Sequence, residues 1–336
     1  MAISIEHLPG FVDLQVNGFL GVDYSAEGLT LEKVLMTARE MYKRGTAGFL
    51  ATVITSSEEI YEKNLGIIAE AMKDPEVGHI ILGIHAEGPF LSDQPGAVGA
   101  HNPKWVKKPC IEFFDKMMQW SNNQIKVLTI AAETEGAAEL TKYAVSKGVV
   151  VSLGHQLALF EDIQRCAEAG ASWLTHLGNG CPNSIDRHRN SIWAGLSEDR
   201  VAAGLITDGH HLPPPVVKTM IRAKGVDNVI FVSDASPIAG MPPGRYDTLG
   251  NLAILEENGL LHNPEKKCLV GSSATILQCA NVVASLKAFA PEDIVRMGLI
   301  APLKKIGIDP ENFVKNLPDN CGWDEKSGSF VLKNQA

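Results

Sequence analysis

VVVSLGH, residues 149–155, is an apolar run that stops on an imidazole. Three other segments have the same form. HIILGI (79–84) leads into HAEGP (85–89), ASWLTH (171–176) ends on His176, and NVIFVSD (228–234) ends on Asp234. Near-continuous apolar runs are what strands buried on both faces of a parallel sheet require. In a parallel α/β barrel the strand C-termini converge on one mouth, so polar tips far apart in sequence meet there. The pattern points to a metal-assisted hydrolase.

Outward from these four, further apolar runs fit buried strands at 11–16 (FVDLQV), 48–54 (GFLATVI), 126–131 (KVLTIA) and 201–206 (VAAGLI). Between the strands lie stretches with apolar residues at three- and four-residue spacing. Residues 29–45 stop at Gly45, 57–73 have Ser56 or Ser57 as N-cap, 134–148 start at Thr134 and end on Gly148, and 213–225 open on prolines. Eight strand–helix alternations predict a (β/α)8 barrel of the TIM type. An open doubly wound sheet is disfavoured, because no G-x-G-x-x-G follows the first strand and the polar tips are spread over the whole strand order. The expected organisation is a barrel over residues 1–309, closed by helices at 273–288 and 291–300, and a C-terminal tail or short hairpin over 310–336. Residues 235–250 read as a Gly/Pro-rich loop and 251–262 as a small hairpin.

The chain has 336 residues, 45% hydrophobic and 21% charged, with 30 Lys+Arg against 39 Asp+Glu and a net charge of −9. A broad nucleic-acid or anionic-membrane surface needs a basic face, which this balance argues against. No apolar run is long enough to span a bilayer. The start, MAISIEHLPGF, lacks the basic and apolar regions of a secretory signal, and six cysteines without a C-x-x-C pair read as free thiols, so a cytoplasmic location is expected. Cys181 falls near the expected mouth, with a packed thiol as its ordinary reading.

Glu87, His155 and His176 together make a common catalytic zinc set, two imidazoles and one carboxylate with one position left for water. Their spacings fit ligands after the third, fifth and sixth strands. Asp234, after the last strand, could take a proton from water and return it to a leaving nitrogen. Alone, each of these residues has a plainer reading: a strand-end histidine is more often a structural hydrogen-bonder, and Asp234 or Asp13 could be an N-cap. It is their joint placement at strand tips that argues for chemistry. His101-Asn102, Asn179-Gly180 and Asp208-Gly209-His210-His211 also fall at the mouth. His210 and His211 cannot both point inward from an extended segment. Arg187, His188 and Arg189 form the compact basic group nearby, readable as an anion anchor or as a solvated loop.

With these residues assembled, the chain resembles the N-acetylglucosamine-6-phosphate deacetylase family of the amidohydrolase superfamily. The matching stretches are PGFVDLQVNGFLGVD (9–23), HAEGPF (85–90), GAHNP (99–103), LGH (153–155), THLGNG (175–180), DGHH (208–211), VSDASPIAGMPPGRY (232–246) and LVGSS (269–273). The resemblance implies that Glu87, His155 and His176 are the metal ligands and Asp234 the catalytic acid/base. Ala100, His101, Asn179, Gly180, Arg187 or Arg189, His211 and Leu269-Val270-Gly271 would contact substrate, with His101 or His211 helping to stabilise the oxyanion. Gln15-Val16-Asn17 stands where many amidohydrolases carry His-x-His, so one divalent ion, of the zinc type, is expected per subunit. Family members usually add a small β-sandwich built from both termini; here it should be reduced or absent. Asn179-Gly180-Cys181 replaces the usual Asn-Ala-Met, and 182–195 lacks the usual Arg-Glu-Pro-Gly, so the choice between Arg187 and Arg189 for phosphate stays open. The implied activity is removal of the acetyl group from an N-acetylated amino sugar, with the 6-phosphate as substrate, in an enzyme commonly a homodimer. Rival readings are an amidohydrolase for a non-phosphorylated N-acyl substrate, and a sugar-binding barrel without turnover. An aldolase-type barrel would want a Schiff-base lysine at a strand tip, and none is there.

Overall fold

The computed structural model describes residues 3–265 and 268–333. Eight parallel strands follow one another around a barrel: β1 (Phe11–Val16), β2 (Thr46–Ile54), β3 (Ile81–Glu87), β4 (Ile125–Ile130), β5 (Val150–Leu153), β6 (Trp173–Leu174), β7 (Ala202–Ile206) and β8 (Val229–Val232). Each pairs with its sequence neighbours, as helical crossovers dictate. The seam between β1 and β8 is closed by a parallel bridge from Val16 to Ala235, with the Asn17 N–H donating to the Ala235 carbonyl over 2.8 Å. The (β/α)8 barrel read from the sequence is therefore present.

The outer ring is α1 (Leu31–Tyr42), α2 (Glu58–Ala71), α3 (Ile111–Trp120), α4 (Ala137–Ser146), α5 (Phe160–Glu168), α6 (Ser191–Ser197), α7 (Pro214–Lys224) and α8 (Ile276–Ser285). Their starts follow from local chemistry. Thr30 and Ser57 accept N–H bonds from Lys33 and Ile60, and Thr275 and Gln278 cap α8 reciprocally. α4 begins at Ala137 rather than Thr134, because Gly136 takes a left-handed conformation at its N-cap. The expected helix at 291–300 runs on to 305: α9 (Pro291–Val295) widens into a π-turn at Arg296–Ile300 and resumes as α10 (Ala301–Lys305). Pro302, which has no N–H to donate, sits just past the widened turn.

After β8 the expected hairpin at 251–262 is present as β10 (Asn251–Leu255) and β11 (Leu261–Asn263), but the expected loop before it contributes a further strand, β9 (Gly244–Thr248), and with β12 (Cys268–Leu269) these make a four-stranded antiparallel sheet. Its own small core is Ile238, Ala253, Leu255, Leu261 and Val270. β9 carries too little apolar alternation to be read as a strand; its pairing with β10 creates it. After α11 (Pro310–Lys315), β13 (Cys321–Asp324) and β14 (Ser329–Leu332) form a hairpin over α8, tied by a two-way bond between Asn281 and Phe330. Residues 334–336 of the expected tail lie outside the described residues. Among the described residues there is no β-sandwich. The barrel floor is aromatic, with Phe11 against Phe231 and, edge-on, Phe330. Fully burying such rings contributes about 1.5–3 kcal/mol each.

Candidate active site

Glu87 is the last residue of β3, His155 lies two residues past β5, and His176 two past β6. Glu87 Oε1 stands 3.1 Å from His155 Nε2 and 3.0 Å from His176 Nε2, and the two nitrogens are 3.0 Å apart. All three residues are buried. His155 Nδ1 donates to the Ala97 carbonyl over 2.7 Å, so in the neutral ring Nε2 carries only a lone pair. A lone pair facing a carboxylate oxygen at 3.1 Å is repulsive unless a cation lies between them. Bonds of about 2.0–2.2 Å to a tetrahedral ion imply donor separations of roughly 3.3–3.5 Å, close to this triangle. The donor set fits a divalent metal. Burial alone would raise the Glu87 carboxyl, but the two imidazoles beside it outweigh that and hold it well below the usual carboxylate range.

A cavity of about 340 Å³ opens over this triangle. It is lined by Asn17, Ala100, His101, Asn179, Gly180, His211, Asp234, Leu269 and Gly271 as well as the three clustered residues. His101 Nε2 lies 3.2 Å from His155 Nε2, while its Nδ1 accepts from the Thr55 N–H over 3.3 Å. The hydrogen therefore resides on His101 Nε2, at the cavity wall and within hydrogen-bond distance of His155 Nε2. Burial, then the nearby His155, keeps the His101 pKa well below the ordinary histidine value, so the ring is neutral. His211 is fixed from behind by Asp208, whose Oδ2 accepts from His211 Nδ1 over 2.8 Å. His210 turns the other way and meets the Asn258 carbonyl, as expected for consecutive residues.

Asp234 follows β8 with φ 52°, and His155 and His176 also hold positive φ, 51° and 32°. Left-handed backbone at three non-glycine residues costs energy and concentrates where geometry matters most. Burial, then the Glu87 charge, pushes the Asp234 carboxyl up to about 6. Gln15 and Asn17 are not idle. The Gln15 side-chain amide donates to Glu87 Oε1 over 3.1 Å, and that of Asn17 donates to Asp234 Oδ1 over 2.8 Å. Asp13 is no N-cap; it is a fully buried residue in the middle of β1 that accepts from the Ser233 N–H and bonds the Ser233 hydroxyl. Sequence reasoning misses these roles, although polar residues at alternate positions of an apolar strand are their signal.

Three expected contacts are absent from the cavity lining. Arg187 and Arg189 are exposed on the 182–190 turn and do not line the cavity, and Arg189 pairs with Glu161 at 3.0 Å. Val270 is buried beneath the small sheet, while its neighbours Leu269 and Gly271 reach the cavity. Cys181 lines the cavity half-buried, its thiol pushed up by burial.

No protein-family model matches the chain. It is 31% identical over 293 residues to N-acetylglucosamine-6-phosphate deacetylase of Lysinibacillus sphaericus, covering 86% of this chain and 73% of the relative. The chain belongs to the N-acetylglucosamine-6-phosphate deacetylase family. An Escherichia coli O157:H7 relative, N-acetylgalactosamine-6-phosphate deacetylase, is 28% identical over 90% of this chain and 78% of its own. The crystal structure of the N-acetylglucosamine-6-phosphate deacetylase from Pasteurella multocida superposes with a TM-score of 0.82 at 26% identity, over 96% of this chain and 84% of that one. That from Mycobacterium smegmatis reaches 0.83 and shares the fold at 24% identity, over 97% and 87%. Deacetylases of this family hydrolyse an amide C–N bond, and the chain spans about three quarters of the length of the two curated relatives.

Proposed function

We propose that this chain removes the acetyl group from an N-acetylated amino sugar 6-phosphate, N-acetylglucosamine 6-phosphate foremost, releasing acetate. The observation that carries this reading is the buried Glu87–His155–His176 triangle with Asp234 in the same cavity. A single divalent ion, zinc by its donor set, would be held by Glu87, His155 and His176 and would supply Lewis acidity to water and to the acetamide carbonyl. Asp234, one oxygen fixed by Asn17, takes the proton of the attacking water and returns it to the leaving nitrogen. His101, with its hydrogen on Nε2 at the cavity wall, donates to the carbonyl oxygen as charge develops there, and His211, oriented by Asp208, contacts the substrate. Ala100, Asn179, Gly180, Leu269 and Gly271 shape the sugar pocket.

Among the described residues no helix is long and apolar enough to cross a membrane. The same reading takes a cytosolic, homodimeric enzyme, for which light scattering is the direct check of the dimer. The deciding experiment is acetate release from N-acetylglucosamine 6-phosphate and from the free sugar by metal-replete protein, wild type against Asp234→Asn. Turnover of the phosphorylated sugar that falls about 10²–10⁴-fold in the variant supports the reading; retained turnover removes Asp234 from the mechanism. Tight binding without product would instead favour a sugar-binding barrel.

A further inference from the structure

The barrel interior just below the metal triangle is polar where a packed apolar layer is the rule. His85, Thr129, Ser152 and Thr175 are all within 2% of complete burial. They form one continuous chain of hydrogen bonds: His85 Nε2 to Thr129 Oγ1 at 2.7 Å, Thr129 Oγ1 to Thr175 Oγ1 at 2.7 Å, and Thr175 Oγ1 to Ser152 Oγ at 2.6 Å. Its direction is determined. His85 Nδ1 faces the Leu14 carbonyl at 3.0 Å, and a carbonyl only accepts, so Nδ1 donates. In the neutral ring Nε2 then accepts from Thr129, and because each hydroxyl has one hydrogen, Thr175 donates to Thr129 and Ser152 to Thr175.

The members are placed where the ligands are. His85 is two residues before Glu87 on β3. Thr129 on β4 is the register partner of Glu87 on one side and of Ser152 on the other. Ser152 on β5 is three residues before His155, and Thr175 immediately precedes His176. The chain therefore laces together, from within, the three strands that carry the triangle. β6 has only two ladder residues, Trp173 and Leu174, and beyond them the Thr175 and Leu177 N–H groups donate to the Leu153 and Gly204 carbonyls on either side of His176, so the side-chain chain adds to a short backbone frame. Buried side-chain chains polarise one another and are costly when broken.

Resting on the reading that the triangle holds an ion, we propose that His85, Thr129, Thr175 and Ser152 are positioning residues that preset the separations among Glu87, His155 and His176 and thereby set metal affinity. Nothing in this role requires contact with the ion or with substrate.

The test measures the zinc dissociation constant of the full-length protein by competition with a chromogenic chelator, for wild type, Thr129→Val and Thr129→Ser. Valine keeps the volume and cuts the chain on both sides; serine restores the hydroxyl. The expected result is affinity weakened about tenfold or more in Thr129→Val, the size seen when groups that orient ligands are removed, with most of it recovered in Thr129→Ser. Equal affinity in Thr129→Val and wild type, even with a lowered melting temperature, overturns the proposal and leaves the chain a packing feature. A wild type that takes up no zinc sinks the metal reading itself and this inference with it. Should Thr129→Val not fold, Ser152→Ala at the chain's end replaces it: weakened zinc affinity there supports the proposal, and unchanged affinity overturns it.

Discussion

The side-chain amide of Asn17, just past the first barrel strand, donates to Oδ1 of Asp234, just past the last. The bond spans the seam where the barrel has least regular pairing, and it fixes the rotamer of the proposed proton carrier. Asn17→Asp keeps the shape but replaces the donor by an acceptor and sets a second negative charge beside the carboxylate. Hydrogen bonds to charged groups contribute about 1.5–3 kcal/mol, so kcat should fall about 10–100-fold while zinc content, measured by elemental analysis, stays near one per chain.

Gly180 has φ +57°, and a Cβ there would lie 3.0 Å from His155 Nδ1 and 3.1 Å from His176 Cε1. Both imidazoles belong to the triangle and neither is a flexible end. Gly180→Ala should therefore displace them, lowering zinc affinity while reducing the stability of the metal-stripped protein by only about 1–2 kcal/mol. Chelator competition and calorimetry on the same samples separate the two effects.

Burial pushes the Asp13 carboxyl up to about 7 against the pull of its bonds to Ser233 and Gln15. Between its ordinary value near 4 and about 7, the folded protein holds a proton that the unfolded chain has lost. Stability thus falls as pH rises through that window, by up to a few kcal/mol. Asp13→Asn cannot ionise and should flatten this slope in urea unfolding at about pH 5 and about pH 7.5, values that bracket most of the window. An unaltered slope would mean that Asp13 is ionised throughout.

Arg189 is held by Glu161, whereas Arg187 has no acidic partner among the described residues and only its backbone carbonyl is engaged, by Trp193 Nε1. If a phosphate is gripped from the 182–190 turn, Arg187 is the cation left to grip it. Arg187→Ala should raise KM about tenfold or more for the phosphorylated sugar and leave the free sugar unaffected, with Arg189→Ala close to wild type. Steady-state kinetics on both substrates decides this.

The barrel and its polar tips are legible in the sequence because a strand buried on both faces has to be apolar until it reaches the mouth, where VVVSLGH and NVIFVSD each end on a polar, titratable side chain. What surrounds those tips is not. Asp13, Gln15 and Asn17 sit in or beside a strand that reads as a simple apolar run, and their partners, Ser233, Glu87 and Asp234, are 72 to 220 residues away. Gly244–Thr248 becomes a strand only by pairing with a neighbour, since its own alternation is too weak. Charge locates the 187–189 group near the mouth but does not say which way its side chains face.

The left-handed backbone at His155, His176 and Asp234 implies a conflict between durability and turnover. Glycine at any of these positions would relieve the local strain and remove a side chain of the proposed site in one step. Selection for heat resistance alone would thus erode the mouth before the wall, and a thermostabilised descendant of this chain should be assayed for acetate release before it is judged improved.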